Sequence, residues 1–422
     1  MSQGSSDSEK TGNLKIYYAK LPEYNLRNGM ILYFMKVAYV GDFLNHGGLL
    51  YTSGTPVTIL LSLCAEVDSV DVFCPNSNKV TEDFIPPKKV KINPSYRRED
   101  PLSIMKLLKI NWKSYDVVIF NMLPTGFGIG TISNSIALLI PILVAKLKKY
   151  PNIKIIYHNS VYTNDIRKLG YSSIFDKFRS LILSIVERYL FKSITTFVLL
   201  KLYKRRIDTA IKKNSVHVLD SQYLEAITTL YLNNVIELDT IDQKNHEIPL
   251  ILMHGSWGPQ KNLELGLSAL RALKNRGEAF NLVISGGISE HFPEYKKKFL
   301  KILDSYSDII DKYLGRISEK EIMGLFLDAS LLILPYNTPG GHSGVLEQAI
   351  FFKVPTIAID FPEYEEQANG ISSVKFVTTN NFYSMIANCL KFSEERQEIS
   401  IRDNVAKALT NVKQLLVTVT DW

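Results

Sequence analysis

Apolar and polar positions alternate in blocks along this chain, and the blocks change character in a regular way. Short, nearly continuous apolar runs such as YDVVIFN (115–121), KIIYHN (154–159) and LLILPY (331–336) have the pattern of strands buried on both faces. Between them lie longer segments with helical spacing: VTILLSLCAE (57–66), DPLSIMKLLKI (100–110), NSIALLIPILVAKLKKY (134–150) and SIFDKFRSLILSIVERYLF (173–191). Further strands are expected at 35–43, 70–74, 195–200 and 215–220. The polar stretch 233–247 reads as an interdomain linker, after which the alternation restarts. In the second half, strands are expected at 249–256, 280–287, near 308–314, at 331–336 and at 355–360. Helices are expected at 262–277, near 293–307, at 318–328, at 343–352 and over about 393–417. Strands alternating with helices imply βαβ units. The pattern predicts an α/β protein of two Rossmann-like domains, with parallel sheets facing a central cleft.

The expected division is an N-terminal extension at 1–34, with a flexible tail at 1–13, and a first domain at 35–235. A second domain follows at 236–392, and a C-terminal helix at 393–422 returns toward the first domain. A length of 422 residues suits two cores better than one. The stretch 117–145 carries no charge, but its prolines, glycines and asparagines fit a strand, a loop and a helix better than a membrane span. Three scattered cysteines and a polar N-terminus without an apolar h-region point to a cytoplasmic protein. The net charge of +7 does not imply nucleic acid. No CxxC, His-Glu-x-x-His or Asp-x-Asp occurs, so neither a metal nor a cofactor is expected.

In open parallel sheets, ligands bind beyond the carboxyl ends of the strands, so the residues there carry the functional reading. In the first domain these are Gly47 and Gly48, and then His158 and Asn159. In the second, HGSWGPQKN (254–262) places Gly255, Ser256 and Lys261 after a strand, with Lys261 opening the next helix. A lysine there opposes the helix dipole unless an anion shares the site. The loop NTPGGHSG (337–344) follows another strand. Its glycines free backbone N–H groups for an anion, Ser343 caps the following helix or donates to that anion, and Glu347 sits one turn inside. A carboxylate in that place suits a vicinal diol next to the phosphates, or simply its own helix terminus.

GSWGPQKN, NLVISGG, YLGRISEKEI, LLILPY and SGVLEQAIFFKVPTIAID together resemble the retaining glycosyltransferases of the GT-B fold, family 4 in particular. The similarity is strong over roughly 249–370 and weaker over 35–220. It implies transfer of a sugar, with retention of configuration, from a nucleotide-diphosphate sugar that enters as co-substrate. It further implies that Lys261 binds the donor diphosphate, that Glu347 holds the ribose diol, and that Ser343, Gly344 and Val345 offer backbone N–H groups to phosphate. Residues 313–317, with Gly315, Arg316 and Ile317, would present backbone to the base. Gly47, Gly48 and His158 would lie near sugar and acceptor, with Lys261, His158 and Glu347 as the catalytic set. The chain departs from the family at two places. Pro339 stands where a second glutamate is usual, and Ser256 where an arginine is usual. His342, Arg316 and His254 are the candidates to substitute.

The acceptor expected from this resemblance is a glycan or a lipid-linked molecule. Lys177, Arg179, Arg188 and Lys192 on the 173–191 helix, with KLYKRR at 201–206, give the first domain a basic, apolar region suited to peripheral contact with an anionic membrane at its cytoplasmic face. Three other readings stay open at this level: a nucleotide-sugar epimerase of the same fold, a non-catalytic nucleotide-sugar-binding subunit, and a dehydrogenase. The last is disfavoured by the absence of GxGxxG.

Overall fold

The computed structural model describes residues 25–27, 30–32, 34–43, 54–76, 85–122, 131–147, 153–157, 174–193, 196–200, 215–219, 223–244, 246–289, 292–338, 343–391 and 398–416. A short antiparallel pair, Asn25–Arg27 with Met30–Leu32, precedes the first domain.

The first sheet contains β1 (Met35–Val40), β2 (Val67–Pro75), β3 (Val90–Tyr96), β4 (Val117–Met122), β5 (Ile153–Tyr157), β6 (Thr196–Leu200) and β7 (Ser215–Leu219). All pairings are parallel, and the spatial order is β3-β2-β1-β4-β5-β6-β7. Its helices are α1 (Gly54–Leu63), α2 (Pro101–Met105), α3 (Thr131–Leu147) and α4 (Ile174–Ser193). Strand β4 is buried at every position, as its apolar run requires. Strand β3 was not expected from the sequence, because VKINPSY lies at the sheet edge and alternates without a clear apolar face.

Helix α5 (Leu224–Leu232) links the domains. It packs on α1 of the first domain and on two helices of the second, and Thr229 Oγ1 donates to Glu319 Oε2 across this buried contact at 3.2 Å. The expected linker is partly ordered: Thr240–Ile241 pairs antiparallel with Ile399–Ser400.

The second sheet contains β8 (Leu250–His254), β9 (Asn281–Ser285), β10 (Lys312–Tyr313), β11 (Leu331–Leu334), β12 (Thr356–Ile359) and β13 (Val374–Val377). Its order, β10-β9-β8-β11-β12-β13, repeats that of the first sheet, and all its pairings are parallel. The helices are α6 (Leu263–Lys274), α7 (Tyr295–Ser305), α8 (Glu319–Asp328), α9 (Gly344–Phe351), α10 (Pro362–Ala368), α11 (Phe382–Lys391) and α12 (Ile401–Lys413). Two expectations are corrected here. The strand near 308–314 is only two residues long, and the final helix starts at Ile401, after the Ile399–Ser400 strand. Helix α12 packs on α1, and Lys413 Nζ lies 2.9 Å from Glu66 Oε1. No helix among the described residues is long and apolar enough to cross a membrane.

In each sheet the strand order reverses beside the first strand, between β1 and β4 and between β8 and β11. Such a reversal opens a crevice at the carboxyl ends, where the flanking loops diverge.

Candidate functional site

The loops after β8 and β11 flank the reversal point of the second sheet. Pro259 starts a 3-10 turn, Pro259–Lys261, and Asn262 follows in the left-handed region at φ 44° before α6 begins. Lys261 therefore precedes the helix instead of opening it, which corrects the sequence expectation. Its ammonium group sits 3.6 Å from the centroid of the Tyr336 ring. Burial of that group lowers its pKa to about 7. The turn is fastened to the other loop, since Asn337 donates its backbone N–H to Gln260 O at 3.0 Å and its side-chain amide to Pro259 O at 3.3 Å.

Gly255 directly follows β8, where the two loops meet. A Cβ placed on it would lie 3.4 Å from the Tyr336 hydroxyl and 3.8 Å from Val345 Cγ2. The lysine turn, the tyrosine and the start of α9 thus converge on one glycine. Ser256 is half-buried beside it. Gly286, at the end of β9, has φ +102°, and a Cβ there would lie 1.8 Å from Gly255 O. Only glycine fits this close backbone approach. The Gly286 N–H donates to Gly315 O, and Trp257 donates its backbone N–H to Gly287 O at 2.8 Å. The loops after β8, β9 and β10 therefore form one rigid floor. Gly315 has φ +63°, Arg316 is exposed next to Gly287, and Ile317 is half-buried against the core.

Ser343 caps α9: its Oγ accepts from Leu346 N at 3.3 Å. Its own N–H donates to Gln367 Oε1 at 3.3 Å, and its carbonyl accepts from Gln367 Nε2 at 2.9 Å. This clasp corrects the expectation for the Ser343 amide, which is engaged by Gln367. Gly344 and Val345 are the first two helical residues, whose N–H groups lie outside the helix's own hydrogen-bond ladder. Glu347 is fully buried one turn inside, with its N–H on Ser343 O at 3.0 Å.

His254 cannot replace the missing cation. It is buried, its Nδ1 lies 2.7 Å from Ser285 Oγ, and its ring meets Phe326 edge-on. Burial, with the Lys261 charge nearby, lowers its pKa to about 4, so the ring is neutral at pH 7. Gly47, Gly48, His158 and Asn159 lie outside the described residues, as do Pro339 and His342.

The first domain holds a group that the sequence did not single out. Asp42, two residues after β1, is buried and paired with Arg98. Burial raises its pKa to about 7 against the opposing pull of Arg98. Tyr336 and Gln367 were missed as well. A tyrosine ending an apolar strand reads as core, and a glutamine 24 positions after Ser343 gives no local signal. Among the described residues, no group of three or more His, Cys, Asp or Glu is placed to hold a metal ion.

Residues 235–399 match the family model described as glycosyl transferases group 1. That match spans the whole second sheet and its helices α6 to α11. The pairing of this sheet with a first sheet of the same strand order gives the chain a GT-B fold. No curated protein matches the chain by sequence. Among solved structures, it is similar to sucrose-phosphate synthase (tll1590) from Thermosynechococcus elongatus, at 12% identity over 90% of this chain and 94% of that one, with a TM-score of 0.61. It is similar to Anabaena Alr3699/HepE in complex with UDP-glucose, at 12% identity over 90% and 98%, with a TM-score of 0.58. It is also similar to UDP-GlcNAc 2-epimerase from Methanocaldococcus jannaschii, at 14% identity over 91% and 100%, with a TM-score of 0.51. At these identities the likeness is one of GT-B fold, which serves both transfer and epimerisation.

Proposed function

We propose that this protein transfers a hexosyl group from a nucleotide-diphosphate sugar to a glycan or lipid-linked acceptor, with retention of configuration. The observation that carries the reading is the convergence of Lys261, the N-terminus of α9 and buried Glu347 at the reversal point of a group 1 domain. The N–H groups of Gly344 and Val345 and the positive end of α9 suit a diphosphate. Lys261, drawn off the Tyr336 ring, neutralises the charge that grows on the leaving diphosphate. Glu347 accepts from the ribose hydroxyls. Loops fastened to one another hold these groups in place before the donor arrives, which reduces the ordering needed at the reaction step. The complex of the Anabaena neighbour with UDP-glucose makes uridine the first base to test.

The test is a thermal-shift screen with UDP-, GDP- and ADP-sugars on the wild type, Lys261→Ala and Glu347→Ala. One nucleotide family is expected to stabilise the wild type, and both substitutions to weaken that effect. Absence of stabilisation by every nucleotide sugar, or indifference to both substitutions, defeats the proposal. Interconversion of the free nucleotide sugar without any acceptor identifies an epimerase instead.

A further inference from the structure

Helices α2, α3 and α4 lie side by side over one part of the first sheet, with α3 touching both of the others. Their outer surface is unusually apolar. On α4, Phe178, Leu181, Ile185 and Tyr189 are 63%, 56%, 59% and 49% exposed. Their spacing of three, four and four residues places them along one stripe. Ile132 of α3 is 70% exposed, and on α2 Leu102 and Met105 are exposed too. These seven make up half of the fourteen large apolar side chains exposed among the described residues. The α4 stripe runs over successive turns of one helix and so has the character of an interaction surface, whereas single exposed apolar residues are ordinary.

Charge decides the partner. Lys106 and Lys109 beside α2, Lys146 of α3, and Arg188 and Lys192 of α4 are all exposed. The three helices carry two acids, Asp176 and Glu187, and Glu99 and Asp100 precede α2, where Asp100 caps the helix and pairs with Arg97. Glu187 is buried and accepts from the Tyr157 hydroxyl, so it does not offset the surface charge. Lys146 lies over the Tyr189 ring at 5.3 Å, and its ammonium group is 3.3 Å from the Tyr189 hydroxyl. The aromatic end of the stripe is thus joined to a cation, as suits a boundary between acyl chains and headgroups.

We infer that the α2–α4 face docks on an anionic lipid bilayer, with the α4 stripe entering the headgroup region and the surrounding lysines and arginines pairing with lipid phosphate. A second copy of this chain is the poorer occupant, because a two-fold contact through this face would oppose like charges. The inference goes beyond donor chemistry and stands whichever sugar is moved.

The experiment is co-sedimentation of the full chain with vesicles of phosphatidylcholine alone, or with about one-third phosphatidylglycerol, at low and high salt. Two variants are compared with the wild type: Leu181→Ser with Ile185→Ser, and Lys146→Glu with Lys192→Glu. The wild type is expected to bind the anionic vesicles and to be released by salt. The apolar variant is expected to lose about tenfold or more in partitioning, and the charge variant to lose several-fold on anionic vesicles only. Nucleotide-sugar stabilisation measured without vesicles should be equal in all three proteins, which checks folding and separates this inference from the donor reading. No preference for anionic vesicles, or binding unchanged in both variants, overturns it. So does a wild-type dimer that the apolar variant converts to monomer, because the occupant is then a second copy.

Discussion

The pH dependence of donor binding tests the lysine directly. Burial of the Lys261 ammonium lowers its pKa from 10.5 to about 7. A displacement of that size corresponds to about 5 kcal/mol, less whatever solvent reaching the half-buried residue returns. In the free protein the group is therefore mostly neutral above pH 7, while a diphosphate favours its charged form. Binding above pH 7 must then take up a proton, so affinity is expected to fall by about tenfold per pH unit between 7 and 8.5 and to be flat below 6.5. A nucleotide sugar is the right probe, since its phosphates are diesters that do not titrate in this range. Asp42 also titrates near 7, so the control is Lys261→Arg, which stays charged and should flatten the profile. Stability gives a second readout. The folded pKa lies below the unfolded one, so the unfolded chain holds more protons between pH 7 and 10.5, and stability rises with pH across that window. Lys261→Met should remove that rise and stabilise the free protein near pH 7. A wild-type binding profile flat from pH 6 to 8.5, or one with the same slope in Lys261→Arg, refutes the reasoning.

Two further outcomes follow from the same site. Tyr336→Phe keeps the ring under Lys261 and should leave nucleotide-sugar affinity within about threefold, whereas Tyr336→Leu removes a cation–π contact of about 1–2 kcal/mol that favours the charged lysine and should lower the pH midpoint of binding by about one unit; equal titration midpoints in both variants would sink the assignment. Gly286→Ala sets a Cβ 1.8 Å from Gly255 O at φ +102°, and a loss of about 3 kcal/mol or more in chemical denaturation is expected, with nucleotide binding weakened because the loop floor must move.

The alternation of apolar runs with helical segments made the two parallel sheets legible in the sequence. Lys261, Ser343 and Glu347 each stand just after an apolar run, and the fold turns those runs into strands that end at one crevice. What the sequence hid was the means of holding them. Tyr336 has the appearance of a core residue, and it is buried, yet one face of its ring carries the lysine. Gln367 reaches Ser343 from the end of α10, a contact set by the packing of α10 on α9. His254 looked available as a cation until its burial under the loop floor was evident. Among elements, β3 and β13 were missed because VKINPSY and VKFV are edge strands without a continuous apolar run.

The antiparallel pair Thr240–Ile241 with Ile399–Ser400 has a mechanical consequence. The chain leaves the first domain through one of these segments and returns toward it through the other, and Asp239 O accepts from Ile401 N at 3.0 Å where they meet. The two crossings are thereby stitched to each other as well as to their own domains. Moving one domain away from the other has to carry both segments together, and a cut in one strand would let the remaining crossing move alone.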